Sequence, residues 1–220
     1  MNNHSSGFVV FDLDGTLLDT SEGIISAAIY TIKKYKKPVP DRSLLLNMIG
    51  PPIQESFKNI FNLSSDEAMK MSDSFREIYK TDEYLLKAVP YEGIFSLWES
   101  LIKAGKKIGV ATYKREDYAK RILIEKGFGV YTDYLYGSDL EGKLKKKDII
   151  KRCLSEMKCI DCSEAVYVGD GKSDGIGANS AGIPFLAVTY GFGFKSIEDT
   201  AAFNPIGVAK SCFEIGDIII

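Results

Sequence analysis

Two aspartates two residues apart, Asp12 and Asp14, directly follow the short apolar run Phe8-Val9-Val10-Phe11. The run is rich in β-branched and aromatic residues, so it reads as a buried strand. On an extended chain residues i and i+2 point the same way, which turns both carboxylates toward one site at the strand's carboxyl end. Gly15 then lets the chain turn close to a ligand, and Thr16 adds a hydroxyl. Carboxylates placed in this way suit a hard metal ion, a covalent nucleophile and a proton donor together. A plain strand-to-turn junction also favours Asp and Gly, and Asp-x-Asp-Gly alone does not separate the two readings.

Two later stretches carry similar chemistry. Gly169-Asp170-Gly171-Lys172-Ser173-Asp174 puts two more carboxylates, four apart, in a glycine-rich turn between an apolar strand and a helix. A capped turn is the structural alternative. Thr112-Tyr113-Lys114 ends a strand over 107–111, where a hydroxyl and loop N–H groups suit phosphate oxygens. The run Lys143-Leu144-Lys145-Lys146-Lys147 is, by default, a solvated charged surface. His4 is the only histidine, which places any acid–base work on carboxylates.

The elements that must position these residues follow from periodicity. Asp19-Thr20-Ser21 supplies cap-type residues, and Ile24, Ile25, Ala28, Ile29, Ile32 and Tyr35 recur at helical spacing. Short helices are predicted over 42–48 and 53–60, separated by Ile49-Gly50-Pro51-Pro52. Ser64 and Glu67 form a capping-box pattern before a long helix striped by Ala68, Met71, Phe75, Ile78 and Tyr79. Nothing in 20–85 reads as a strand, so this stretch is predicted to be an all-helical insertion. It divides an α/β core into residues 1–19 and 86–220. In the second part, strands are predicted near 89–90, 107–112, 134–137, 165–168, 185–189 and 206–209. Helices are predicted over 94–102, 116–126, 148–157 and 196–202, with Trp98 in the core. Repeated β–α units predict an α/β fold with a doubly wound, Rossmann-like parallel sheet.

The totals narrow the function. The 220 residues are 45% hydrophobic and 26% charged, with a net charge of −2, so no basic excess points to nucleic acid or an anionic membrane. No apolar run approaches the length of a bilayer span, and the polar N-terminus lacks a secretory signal, so a cytoplasmic location is expected. Cys159-x-x-Cys162 lacks a second pair or a histidine to complete a zinc set, and reduced cysteines are the expectation.

Asp12-Leu13-Asp14-Gly15-Thr16-Leu17 after an apolar strand resembles the first motif of the haloacid dehalogenase-like phosphohydrolase superfamily. Thr112 resembles its second motif, and Gly169-Asp170 with Asp174 its fourth. The third motif is a single lysine at a helix start. Registering Ile149-Ile150 against relatives favours Lys146, with Lys145 next. The stretches Ile49-Gly50-Pro51-Pro52, Tyr91-Glu92-Gly93 and Thr189-Tyr190-Gly191-Phe192-Gly193 resemble the phosphoglycolate phosphatase-like branch. The resemblance implies that the helical insertion is a cap over the core.

It also implies Mg²⁺-dependent hydrolysis of a small phosphomonoester through an aspartyl-phosphate. In that scheme Asp12 is the nucleophile and Asp14 the general acid and base. The metal is held by the Asp12 side chain, the Asp14 main-chain carbonyl and Asp170. Thr112, Tyr113 and Lys146 bind phosphate, with Thr16 and Asp174 in support. Gly50 and Pro51 are candidates for selecting the leaving group, and Arg42, Lys58 or Arg76 for holding a second anion. Two rivals share the core residues: a phosphomutase of the β-phosphoglucomutase type and a non-catalytic phosphate-binding module. Phosphoglycolate, nucleoside monophosphates, sugar phosphates and pyrophosphate all remain open as substrates. A monomer or homodimer is expected, with no nucleic-acid or membrane partner.

Overall fold

The structure, a computed structural model, describes residues 7–140 and 142–220. His4 and the polar N-terminal stretch lie outside the described residues. In chain order the first elements are β1 (Phe8–Phe11), β2 (Leu18–Asp19), α1 (Ser21–Lys34), α2 (Arg42–Leu46), α3 (Ile53–Phe61), α4 (Ser65–Tyr79), α5 (Asp82–Leu85) and β3 (Val89–Pro90). There follow α6 (Ile94–Lys103), β4 (Lys107–Arg115), α7 (Glu116–Glu125), β5 (Leu135–Ser138), α8 (Lys146–Glu156), β6 (Ala165–Gly169), α9 (Lys172–Ala181), β7 (Phe185–Val188), β8 (Gly207–Ala209) and α10 (Cys212–Ile219).

Six strands form one sheet in the order β5-β4-β1-β6-β7-β8, and every pairing in it is parallel. The near-continuous apolar runs have the physical cause expected of such a sheet: both of its faces are covered. Val9 and Phe11 of β1 join one core with Val110, Val166, Val168, Leu186 and Val188. Val10, one residue out of phase, joins another core with Ala111, Tyr167, Phe185 and the α8 residues Ile149 and Ile150. Each large apolar side chain sealed in this way contributes about 1.5–3 kcal/mol. The chain winds outward from β1 first through β4 and β5, then through β6, β7 and β8. The switch point lies at the carboxyl end of β1, where such sheets bind ligands.

Helices α1 to α5 fill the chain between β2 and β3, which pair antiparallel where the block joins the core. Within the block α1 and α3 pack on α4, and Phe75 of α4 stacks on Tyr79 with ring centroids 5.3 Å apart. The Ser64–Glu67 capping box is formed, with Ser64 N–H donating to the Glu67 carboxylate and Glu67 N–H donating to Ser64 Oγ. No helix among the described residues is long and apolar enough to cross a membrane.

Several boundaries differ from the sequence expectation. Strand β4 runs on through Thr112, Tyr113 and Lys114 to Arg115, because Arg115 pairs with Ser138 beyond an irregularity in the ladder. Helix α8 starts at Lys146, two residues early, since the Asp148 carboxylate accepts the Lys145 N–H and satisfies an otherwise orphaned donor. The helix predicted over 196–202 is a tight three-residue-per-turn stretch, Glu198–Phe203. Helices α5 and α10 were not predicted. Only Cys212, Ile215 and Ile219 of α10 are buried, too short a stripe to stand out beside Gly216.

Candidate active site

Asp12 leaves β1 with its N–H donating to the Val168 carbonyl at 2.9 Å, so β6 fixes its backbone. Its Oδ1 accepts a 2.6 Å hydrogen bond from Lys146 Nζ, and the same ammonium lies 2.8 Å from Asp174 Oδ1. Lys146 is the first residue of α8, and the helix start aims it under the sheet end. Gly177 of α9 makes room for it, because a Cβ there would lie 2.6 Å from Lys146 Cγ. Asp174, in the first turn of α9, also accepts the Gly171 N–H at 3.0 Å. Asp170 follows β6, and its Oδ2 accepts the N–H groups of Phe192 and Gly193 at 2.6 and 2.9 Å. Gly15 has a φ of +82°, and a Cβ there would run into Asp170 Oδ2 and the Phe192 ring, so the turn needs glycine twice over.

Asp14 faces different partners. Thr20 Oγ1 donates to its Oδ1 at 2.6 Å, and Lys114 Nζ lies 2.9 Å from Oδ1 and 3.1 Å from Oδ2. Lys114 also donates to the Tyr79 hydroxyl of α4 at 2.9 Å. Thr20, read from sequence as a cap-type residue, makes no side-chain cap bond and spends its hydroxyl on Asp14.

Two connected spaces meet at Asp14. The larger, about 450 Å³, is bordered by Asp12, Thr112, Lys146, Asp170 and Asp174. The smaller, about 160 Å³, lies between α4 and β4 against Phe75, Tyr79, Lys114 and Tyr118. Gly50, Pro51 and Tyr113 border both. Of the residues singled out from sequence, Thr16 stands apart: it borders neither space, its hydroxyl is buried without a partner among the described residues, and Tyr190 donates to its carbonyl. Arg42 and Lys58 border neither space, whereas Arg76 borders the smaller.

Lys114, Tyr79, Thr20 and the Phe192–Gly193 amides were missed as site residues. Lys114 had a signal: it stands two residues beyond Thr112, in the stretch already noted for its phosphate-binding chemistry. The amides belong to the stretch already noted as family-like, but main-chain donors leave no mark in residue type.

Asp12, Asp170 and Asp174 each bring a carboxylate oxygen within 4.8 Å of the others. The Asp14 carboxylate is not part of this trio. Three acids against the single cation Lys146 leave an excess of two negative charges. Burial first, then Asp174 and Asp14, push Asp12 up to about 7 in spite of Lys146. Burial first, then Asp174 and Asp12, push Asp170 up to about 8. Burial alone would lower Lys146, but Asp12 and Asp174 more than offset it and hold its ammonium above the ordinary lysine value. An uncompensated cluster of hard oxygen donors fits a divalent cation such as Mg²⁺.

The arrangement has counterparts in known proteins. Residues 9–188 match the family model described as haloacid dehalogenase-like hydrolase. The chain is 30% identical over 197 residues to a 5'-nucleotidase of Pseudomonas aeruginosa, covering 90% of this chain and 88% of that protein. It is 26% identical over 227 residues to a phosphoglycolate phosphatase of Vibrio parahaemolyticus, covering 100% and 98%. A crystal structure of a predicted phosphatase from Clostridium acetobutylicum superposes with a TM-score of 0.88 at 34% identity, covering 96% of this chain and 97% of that one. Sheet order, carboxylate cluster and these likenesses agree: the chain belongs to the haloacid dehalogenase-like hydrolases, among the phosphoric monoester hydrolases.

Proposed function

We propose that the protein is a Mg²⁺-dependent phosphatase that hydrolyses a small phosphorylated metabolite through an aspartyl-phosphate on Asp12. The observation that carries this reading is the placement of Asp12, Lys146, Asp170 and Asp174 at the switch point of the sheet. Asp12 and Asp170, with the Asp14 main-chain carbonyl, would hold the metal. When bound, it would screen the repulsion between the Asp12 carboxylate and an anionic phosphate.

Asp12 forms the new bond to phosphorus as the bond to the leaving alkoxide breaks. Lys146 fixes the attacking carboxylate through Oδ1 and, with Thr112, stabilises charge on the phosphoryl oxygens. Asp14 in its acid form gives its proton to the leaving oxygen. It is then the ionised group that Lys114 and Thr20 grip, and it takes a proton from the water that cleaves the acyl phosphate. Asp174 positions Lys146, and the helical block shields the reaction from bulk water.

Phosphate release from a panel of small phosphomonoesters, with Mg²⁺ and then with EDTA, tests the reading. Metal-dependent release that disappears in Asp12→Asn supports it. Turnover retained by Asp12→Asn removes Asp12 as nucleophile. Phosphoryl exchange between sugar phosphates without net release would instead identify a mutase.

A further inference from the structure

We propose that the 160 Å³ space beside Asp14 is a leaving-group slot that selects an uncharged planar ring. The inference rests on the phosphatase reading and names its substrate class: phosphate esters of primary alcohols that carry such a ring.

Position is the first argument. The phosphate space and the slot share Asp14, Gly50, Pro51 and Tyr113. A phosphorus in line with Asp12, its ester oxygen at Asp14, therefore directs the rest of the substrate into the slot. The walls are the second. Met48, Phe75, Tyr79 and Tyr118 face it and are otherwise buried. Tyr79 meets Tyr118 edge-on with centroids 6.1 Å apart, so the slot is bounded by ring faces and edges. An apolar cavity of about 150 Å³ takes up one benzene, so the volume suits a single ring.

Charge is the third argument. Among the described residues three cations line the slot, and each is engaged. Lys114 is held by Asp14, Arg76 Nη1 lies 2.7 Å from Asp73, and Arg115 Nε donates to Asp117 at 2.6 Å with its guanidinium 3.8 Å from the Tyr118 centroid. The remaining acid, Asp139, accepts the Lys143 N–H. A leaving group with its own carboxylate or phosphate meets no cation here unless it displaces an existing pair, and it lies against Asp14. A neutral ring faces no such cost.

The test compares kcat/KM of the full chain with Mg²⁺ for benzyl phosphate, pyrimidine nucleoside 5'-monophosphates, ethyl phosphate and 2-phosphoglycolate. All are esters of primary alcohols, so the leaving oxygens are alike and recognition decides. At least one ring-bearing ester is expected to exceed both ethyl phosphate and 2-phosphoglycolate by about tenfold or more. The benzyl and nucleotide arms separate a ring next to the ester from a base beyond a ribose. Phe75→Leu is expected to lower the ratio of ring-bearing ester to ethyl phosphate by about three- to tenfold. A general folding defect lowers both alike, and Tyr118→Leu reads the same ratio if Phe75→Leu does not fold. Equal rates for ethyl and ring-bearing esters, or a preference for 2-phosphoglycolate, overturn the proposal.

Binding of benzylphosphonate against ethylphosphonate to Asp12→Asn, by calorimetry, reads the slot without turnover. Tighter benzylphosphonate binding with no hydrolysis of any ester would keep the slot and reject the phosphatase reading. Equal binding would reject the slot.

Discussion

The Asp12 side of the site and the Asp14 side begin two residues apart and balance charge in opposite ways. Around Asp12 three buried carboxylates stand beside one cation, Lys146, and burial first, then their mutual repulsion, drives Asp12 and Asp170 toward neutrality. Around Asp14 one carboxylate has a lysine and a hydroxyl to itself. The first arrangement suits a metal and an anionic phosphoryl group. The second suits a group that passes a proton at a fixed place. The helical block borders both sides through Gly50 and Pro51, but its hydrogen bond to a lysine of the site, Tyr79 with Lys114, lies on the second.

The contrast can be broken at either end. Asp12→Asn should lower kcat by about a thousandfold or more, since it removes the carboxylate proposed as the nucleophile. Removing a charge from the overcrowded side should leave the metal-free protein at least as stable, which thermal unfolding with EDTA will show. Lys146→Met acts in the opposite sense on stability. It strands Asp12 and Asp174 without their cation and should cost about 3–5 kcal/mol in urea unfolding, with activity down by about a hundredfold or more. Lys114→Met should lower kcat by about ten- to a hundredfold and cost less stability, about 1–3 kcal/mol, because Asp14 keeps Thr20.

The same contrast predicts a pH dependence. Asp12 and Asp170 have an ordinary value of 3.8 and stand at about 7 and about 8 in the folded chain. Between those limits the folded state binds protons that the unfolded chain has released. Stability of the metal-free protein should therefore fall as pH rises from about 4 to about 8, then level off. Mg²⁺ should flatten the fall, measured as Tm against pH with and without the ion. A Tm unchanged across that interval would reject the raised carboxylate values of Asp12 and Asp170. Thr20→Val is the smallest test: loss of one hydrogen bond to Asp14 should cost about 1 kcal/mol and lower kcat by a few-fold.

Much of the fold was legible because its signals are local. Val9, Val10 and Phe11 announce a strand buried on both faces, and the Ser64–Glu67 box marks the start of α4 to the residue. The misses share a cause. Strand β4 extends to Arg115 through its pairing with Ser138, and α10 forms because three side chains reach a distant core. The site divides in the same way: its aspartates lie in turns with local spacing, but Thr20 looks like a helix cap until its hydroxyl is seen on Asp14.

By itself the sequence determined that acidic groups stand at the carboxyl ends of two buried strands, because strand period and turn chemistry act over a few residues. It also determined the α/β class and the helical nature of the stretch after β2. Only the tertiary structure decided which charges meet. It brings Lys146, one of four lysines within five residues, to an aspartate 134 positions earlier, and Lys114 to one 100 positions earlier. Periodicity says which face a side chain occupies; what opposes that face depends on packing between elements remote in sequence. The aromatic slot is of that kind, since α4 and β4 each supply one wall and neither stretch by itself encloses a space.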